Sequence, residues 1–532
     1  GDPLPVGSVS GTRDAVVAFS YDLAGTTNMA AMTHIATASQ VGTVWGEAYN
    51  KTTQKLFMSA TLKRHSGLGP LGLGGIYVTD WADPLNPITT SWLSVTSLTV
   101  SGTPIDVGSI PVNGAGGRGL STNPTLPSRD SIAFRQTAKI GIGGLALSDD
   151  GNTLIFTNLF DAKLYKVDMT AYNTGGGNPT TATAIDVFGS TTCPGGTIRP
   201  WATKFYKGDV YVGAVCDAQT SQSKSDLRAF VYKVNPTSGA STIVFDFPLT
   251  YPKGYPNTNA LNATGWYPWS DVWAGRFITA ANEVVYPQPI FEDIEFDIDG
   301  TMILGFGDRN GVQTGYRNYM PTGTSTALYS GHVGGDILRA FYNEGGTFVL
   351  ENNAKAGPNI GYGPNNNQGP GFGEYYNDNF YDEGDDIFYH AEIVMGGLAV
   401  RPGSGEVLSV TVDPLDKPAL VNYLPYTQAG GVRHFNNQTG QTNSAYIVYS
   451  SNLTTGLFGK ATGLGDVVLR CSLPQFIEIG NRVWVDTNKN GVQDPCEKAL
   501  PGVNVSLYKG GTLIAVTTTN TNGEYYFSSK SK

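Results

Sequence analysis

The sequence predicts an all-β chain: a β-propeller of about six blades, with five to seven allowed, followed by a small β-sandwich module. Three observations predict it. The composition suits short strands and turns, one hairpin pattern keeps returning, and that pattern changes near residue 475. Charged residues make up 15% of the 532, well under the roughly 25% of an ordinary soluble domain. The 68 glycines, with abundant Thr, Ser, Asn and Tyr, favour strands joined by tight turns. Few stretches carry the 3.6-residue period of an amphipathic helix.

The returning unit is a short alternating strand, a Gly-containing turn and a second strand. Gly143–Leu147 leads through Asp149-Asp150-Gly151 to Thr153–Phe156, and Asp293–Asp297 leads through Asp299-Gly300 to Met302–Phe306. Gly396–Val400 leads to Val407–Val410, Arg199–Thr203 to Val210–Gly213, and Trp45–Tyr49 to Lys55–Met58. Such turns between alternating strands signal hairpins. Third strands follow at Lys163–Asp168, Ala229–Val234 and Gly75–Asp80. A hairpin with outer strands is a propeller blade, and five are visible. Ala15–Tyr21 and Asp466–Arg470 are orphan runs that can share a sixth blade and close the ring, removing open sheet edges. Domain limits of 1–474 and 475–532 follow.

Insertions at about 250–288 and 351–389 each precede an innermost strand, so both should rise on one face. The first carries Trp266, Tyr267, Trp269 and Trp273, which either stack on a sugar or dock a neighbouring subunit, or cap the propeller mouth and bury one another. The second holds Glu374, Asp378, Asp382, Glu383, Asp385 and Asp386, open to a calcium site or to a solvated loop. Cys193, Cys216, Cys471 and Cys496 lack metal-site spacing and fall into two pairs by position, which reads as disulfides and an extracellular setting. With Lys207-Gly208 as the turn, Cys216 falls opposite Arg199.

The net charge of −10 and the absence of a basic stripe argue against nucleic-acid partners. Apolar runs are too short to span a bilayer. The start Gly-Asp-Pro-Leu-Pro reads as an end exposed by processing. Asn50, Asn262, Asn437, Asn452 and Asn504 sit in glycosylation triplets, which arise by chance in an Asn/Thr-rich chain. No G-x-S-x-G elbow or phosphate loop occurs. Alternation places Asp293, Glu295 and Asp297 on one strand face, open to an axial hydrolase or lactonase site, or to a solvated central channel or a structural cation. Asp308-Arg309 reads as an ion pair, and His390 with Glu392 is too little for a site. A non-enzyme is expected.

The sharpest local signal is Asp486-x-Asn488-x-Asn490-Gly491-Val492-x-Asp494-x-x-Glu497. It matches D-x-[DN]-x-[DN]-G-x5-E, the spacing that wraps oxygens around Ca2+. Asp486, Asn488, Asn490, Asp494 and Glu497 would offer side chains, and Val492 its carbonyl. Strand-like flanks, Ile479–Val485 and Val503–Tyr508, make it a structural loop rather than a helix-opening sensor.

These residues, with Pro501–Leu507 and Asn522-Gly-Glu-Tyr-Tyr-Phe527, closely resemble the SdrD B-like modules of bacterial surface proteins. The resemblance implies an Ig-like, calcium-stiffened spacer in a secreted cell-surface protein. Cys496 departs from the usual small residue and would lock the module to Cys471; Asn520 replaces a common aspartate. The early stop after the Gly-x-Tyr-x-Phe strand suggests a longer chain, or strand exchange between copies into a fibre. The propeller is similar, more weakly, to domains preceding such modules. The expected function is thus structural or adhesive, with self-association, neighbouring surface proteins or glycans as partners. Alternatives are a glycan-binding propeller or a propeller hydrolase.

Overall fold

The computed structural model describes residues 6–26, 31–111, 117–189, 191–257, 260, 262–343, 345–380, 391–415, 428–450, 458–470, 478–491, 493–494 and 497–528. The chain forms two compact units, Gly1–Arg470 and Cys471–Lys532.

The first unit is a β-propeller. Blade one comprises Val44–Asn50, Lys55–Ala60, Gly75–Asp80 and Ile88–Ser94; blade two, Ile142–Leu147, Thr153–Asn158, Lys163–Asp168 and Thr183–Ile185. Blade three comprises Ile198–Tyr206, Asp209–Cys216, Arg228–Val234 and Ser241–Pro248. Blade four comprises Pro289–Phe296, Met302–Asp308, Asp336–Tyr342 and Phe348–Leu350; blade five, Val394–Ala399, Glu406–Val412, Ala429–Asn436 and Thr442–Ser450. Each is an antiparallel meander in which sequence neighbours pair. The first strands of successive blades pack side by side from blade one to blade five. That makes them the inner wall of a ring.

Every inner strand carries a register shift against its hairpin partner, within Val44–Glu47, Ile142–Leu145, Pro200–Thr203, Phe291–Asp293 and Val394–Leu398. Such bulges bend a strand and sharpen its twist. They also explain one misplaced expectation. The Lys207-Gly208 turn is as read, with Tyr206 opposite Asp209, but the bulge moves Cys216 opposite Ile198 instead of Arg199.

Between blades five and one lies the run 464–470, with the antiparallel hairpin Asp14–Phe19/Met32–Thr37 against it. Asp466 N donates to Trp45 O at 3.2 Å, and Asp466 Oδ2 accepts from Glu47 N at 3.1 Å. Val468 packs in a cluster with Val16 and Ile35, while Val467 and Leu469 pack with Met32 and Val432. The two orphan runs do meet in the sixth position. Among the described residues they join through side chains, not through a ladder.

The two insertions approach each other, since a Cβ at Gly254 would stand 3.0 Å from Gln368 Oε1, and just beyond the second one Ala391 N donates to Pro256 O at 3.3 Å. In the second unit, Glu478–Arg482 pairs with Glu524–Ser528, and Asn504–Lys509 with Thr512–Thr518. Among the described residues, no helix is long and apolar enough to cross a membrane.

Candidate metal centre and the channel carboxylates

In the second unit, the predicted calcium loop is a compact turn held by its own short-range bonds. Asp486 Oδ1 accepts from Asn490 N at 3.2 Å and Oδ2 from Gly491 N at 2.8 Å. Glu497 folds back so that Oε1 accepts from Thr487 N at 2.8 Å and Oε2 from Asp494 N at 3.1 Å. Asp494 Oδ2 accepts from the amides of Asn488 at 2.5 Å and Asn490 at 3.0 Å. Gly491 has φ +76°, the left-handed turn that its position demands. The Trp484–Ala499 bridge closes the loop base.

This donor set fits a hard cation. Three carboxylates and two amide side chains share one turn, and among the described residues no Lys or Arg forms an ion pair with Asp486, Asp494 or Glu497. Val492 and Cys496 lie outside the described residues, as does Cys471. Cys193 and Cys216 form a disulfide in the first unit, with Cα atoms 5.3 Å apart.

The aromatic cluster does not offer faces to a ligand. Trp266 and Trp269 are each 1% exposed and Trp273 is 8% exposed. Trp266 Nε1 donates to Tyr251 Oη at 3.3 Å within the insertion while its ring packs on Phe306, and Trp269 Nε1 donates to Pro289 O at 2.8 Å, so the two rings hold the insertion onto blade four. Arg309 stacks over Trp269 at 4.6 Å, and Lys224 lies 3.4 Å from the centroid of half-buried Tyr267. The expectation of sugar-stacking or subunit-contacting rings is corrected accordingly, since an indole buried on both faces has no surface to give.

Asp293, Glu295 and Asp297 share a strand face but not a site. Glu295 is paired with Lys204, and Asp297 Oδ2 accepts from Arg339 at 2.6 Å. Asp293 Oδ2 accepts from Leu398 N at 2.9 Å. A cavity of about 780 Å³ is lined instead by Glu47, Lys63, Glu292 and Asp466 beside Trp45 and Trp201. There, burial pushes Glu47 up to about 8 and Lys63 down to about 7. The bulge before Asp293 explains the difference, because it turns Glu292 toward a face that strict alternation denies it.

Two other expectations change. Asp308 and Arg309 do not pair: Arg309 Nη2 donates to Asp271 at 2.9 Å, while Asp308 caps the helix Arg309–Thr314. Glu374 and Asp378 do not lie in a solvated loop but are buried, beside Asp336 and Glu392, which local spacing gave no reason to group. Asp382, Glu383, Asp385, Asp386 and His390 lie outside the described residues.

The model of the SdrD B-like domain matches residues 477–532. Colossin-A of Dictyostelium discoideum is 29% identical over 531 residues, covering 96% of this chain and 4% of Colossin-A. Colossin-B of the same organism is 26% identical over 538 residues, covering 96% and 12%. Serine-aspartate repeat-containing protein F of Staphylococcus epidermidis is 51% identical over 75 residues, 14% of this chain and 4% of that one. The chain thus spans a small part of the length of these relatives, and they come from a eukaryote and a bacterium alike, so the module does not by itself fix a bacterial source. Among solved structures, the periplasmic gluconolactonase of Pseudomonas aeruginosa aligns with a TM-score of 0.33 at 10% identity, covering 83% of this chain and 90% of that one. The propeller assignment rests on the sheets themselves, and residues 477–532 are an SdrD B-like domain carried behind it.

Proposed function

We propose that this chain is an extracellular, cell-surface structural or adhesive protein with no catalytic role. In this reading the propeller is a rigid scaffold, and Ca2+ held by Asp486, Asn488, Asn490, Asp494 and Glu497 stiffens the C-terminal domain. The observation that carries it is a loop of calcium-ligand spacing in which Asp486 and Glu497 fold back onto backbone N–H groups, without an ion pair to Lys or Arg among the described residues, inside a domain of the SdrD B-like family. The Cys193–Cys216 disulfide supports an oxidising location. Pairing of Glu295 with Lys204 and of Asp297 with Arg339 leaves those acids poorly placed for hydrolysis. Self-association through the C-terminal hairpin accompanies this reading, because Leu513, Ile514 and Val516 there are 51–55% exposed.

Calorimetry of the chain with calcium chloride and then with excess chelator tests the metal. The transition of the C-terminal domain should fall on chelation, and Asp486→Asn should abolish that difference. A transition indifferent to chelator counts against the reading. Electron microscopy tests self-association: assemblies that Val516→Lys disperses support it, and isolated particles at all concentrations reject it.

A further inference from the structure

Four carboxylates are buried together where blades four and five meet. Asp336 opens the third strand of blade four, Glu374 and Asp378 come from the second insertion, and Glu392 lies two residues before the inner strand of blade five. Their exposures are 1%, 1%, 0% and 0%. One oxygen from each of Asp336, Glu374 and Asp378 lies within 4.8 Å of the others. Two oxygens on opposite sides of a calcium ion, each at about 2.4 Å, are about 4.8 Å apart.

The local backbone is shaped to hold them. Gly335 N donates to Val394 O at 2.9 Å, joining the two blades beside Asp336. Gly254, at φ +91°, brings the first insertion so close that a Cβ there would sit 1.6 Å from Glu392 Oε1. Any side chain at 254 would fill the space that the carboxylate occupies.

The second observation is the lack of partners. Among the described residues, no N–H or hydroxyl donates to either oxygen of Asp378, nor to Glu374 Oε1 or Glu392 Oε2, and what lies within hydrogen-bond reach of Asp378 is the carboxyls of Glu374 and Glu392 themselves. Buried carboxylate oxygens are ordinarily satisfied. Neighbouring Glu351, also 1% exposed, shows the ordinary case, accepting from Arg339 N at 2.7 Å and Tyr375 N at 3.2 Å. Elsewhere in the cluster, Tyr251 donates to Asp336 Oδ2 at 2.5 Å, and Asn379 donates to Glu374 Oε2 at 3.2 Å. Lys253 acts on this field, but its Nζ donates to Gly335 O at 3.2 Å. Arg433 donates to the carbonyls of Pro414, Asn377 and Asn379. The negative charge outweighs both cations.

We propose that Asp336, Glu374, Asp378 and Glu392 form a second, interior binding site for a hard divalent cation, calcium, which staples the second insertion across the seam between blades four and five. The all-oxygen donor set selects against soft metals. Like charges crowded in a dry site otherwise have to take up protons, and that is the rival arrangement.

The test uses the full chain carrying Asp486→Asn and Glu497→Gln, so that the C-terminal loop contributes nothing and the two calcium proposals fail separately. After chelation and dialysis against calcium chloride, mass spectrometry of the metal should find one calcium per chain. Calorimetry should then show the propeller transition raised by roughly 5 °C. Adding Asp378→Asn should weaken binding by about tenfold or more. Less than about a tenth of an equivalent of calcium in the parent, with no thermal shift, overturns the proposal in favour of shared protons. So does full binding that persists in both Asp378→Asn and Glu392→Gln. The parent's metal content decides the matter even where a variant fails to fold.

Discussion

Asp308 shows how burial turns one side chain into a pH-dependent load on the fold. Its Oδ1 accepts from Gln288 N at 3.0 Å and Asn310 N at 2.8 Å, capping the short helix that follows, but Oδ2 has no hydrogen-bond partner among the described residues. Burial pushes its carboxyl up to about 7. The ordinary value is near 4, so between about 4 and 7 the folded chain holds a proton that the unfolded chain has lost. Stability from this group therefore falls as pH rises through that window and is flat above it. Asp308→Asn keeps the cap and removes the charge, so its melting temperature should gain on the native chain from pH 5 to pH 8. A difference that stays constant over that range would refute the assignment. The same residue marks what sequence could not reveal. Next to Arg309 it reads as an ion pair, yet at a strand-to-helix turn the two side chains diverge, and Arg309 reaches Asp271 from the first insertion. A loop motif such as Asp486 to Glu497 is readable because the chain itself sets the spacing of the proposed ligands. The partners of Trp266 and Asp378 come from distant segments, and no local pattern encodes them.

At the scale of the element, the inner-strand bulges are joined to neighbouring blades by a small clasp. Ser59 Oγ, on the second strand of blade one, donates to Gly143 O in blade two at 3.5 Å. Thr157 Oγ1, at the matching place in blade two, donates to Trp201 O in blade three at 3.0 Å. In blade four the matching position is Gly305, where a Cβ would stand 2.0 Å from Gly396 O of blade five. A hydroxyl or a bare backbone fits there, and a larger apolar group does not. Thr157→Val should therefore cost about 1 kcal/mol, by leaving a buried carbonyl without its donor. Gly305→Ala should cost more, roughly 1–3 kcal/mol, since backbone must shift to admit the methyl. Gly265→Ala, whose Cβ meets only Tyr251 O at 3.4 Å, is the control and should be near neutral. Denaturant melts of the three variants check the order, and equal effects at 265 and 305 would contradict the clasp. The hairpins themselves were readable because turn residues and alternation are local. The bulges were not, since an extra residue in one strand is defined only against its partner, and so Cys216 was placed one residue off.

For the whole propeller, the question is what closes the ring between blades five and one. The run 464–470 and the hairpin Asp14–Phe19/Met32–Thr37 come from opposite ends of the unit, and Asp466 ties the run to blade one through Trp45 and Glu47. Ile35 is 5% exposed and packs in a cluster with Val16, Leu56 and Val468, so hairpin, blade one and closing run share one small core. That arrangement makes stability depend on contacts between residues more than 400 positions apart, which only the assembled ring supplies. Ile35→Ala should remove about 2–4 kcal/mol, and because closure is shared, the loss should lower the single transition of the whole propeller. Were the hairpin an appendage, the same substitution would release it locally, with early proteolysis near residues 14–37 and an unchanged main transition. Calorimetry combined with limited proteolysis separates the two outcomes, and only a drop of the main transition agrees with a ring closed by both its ends.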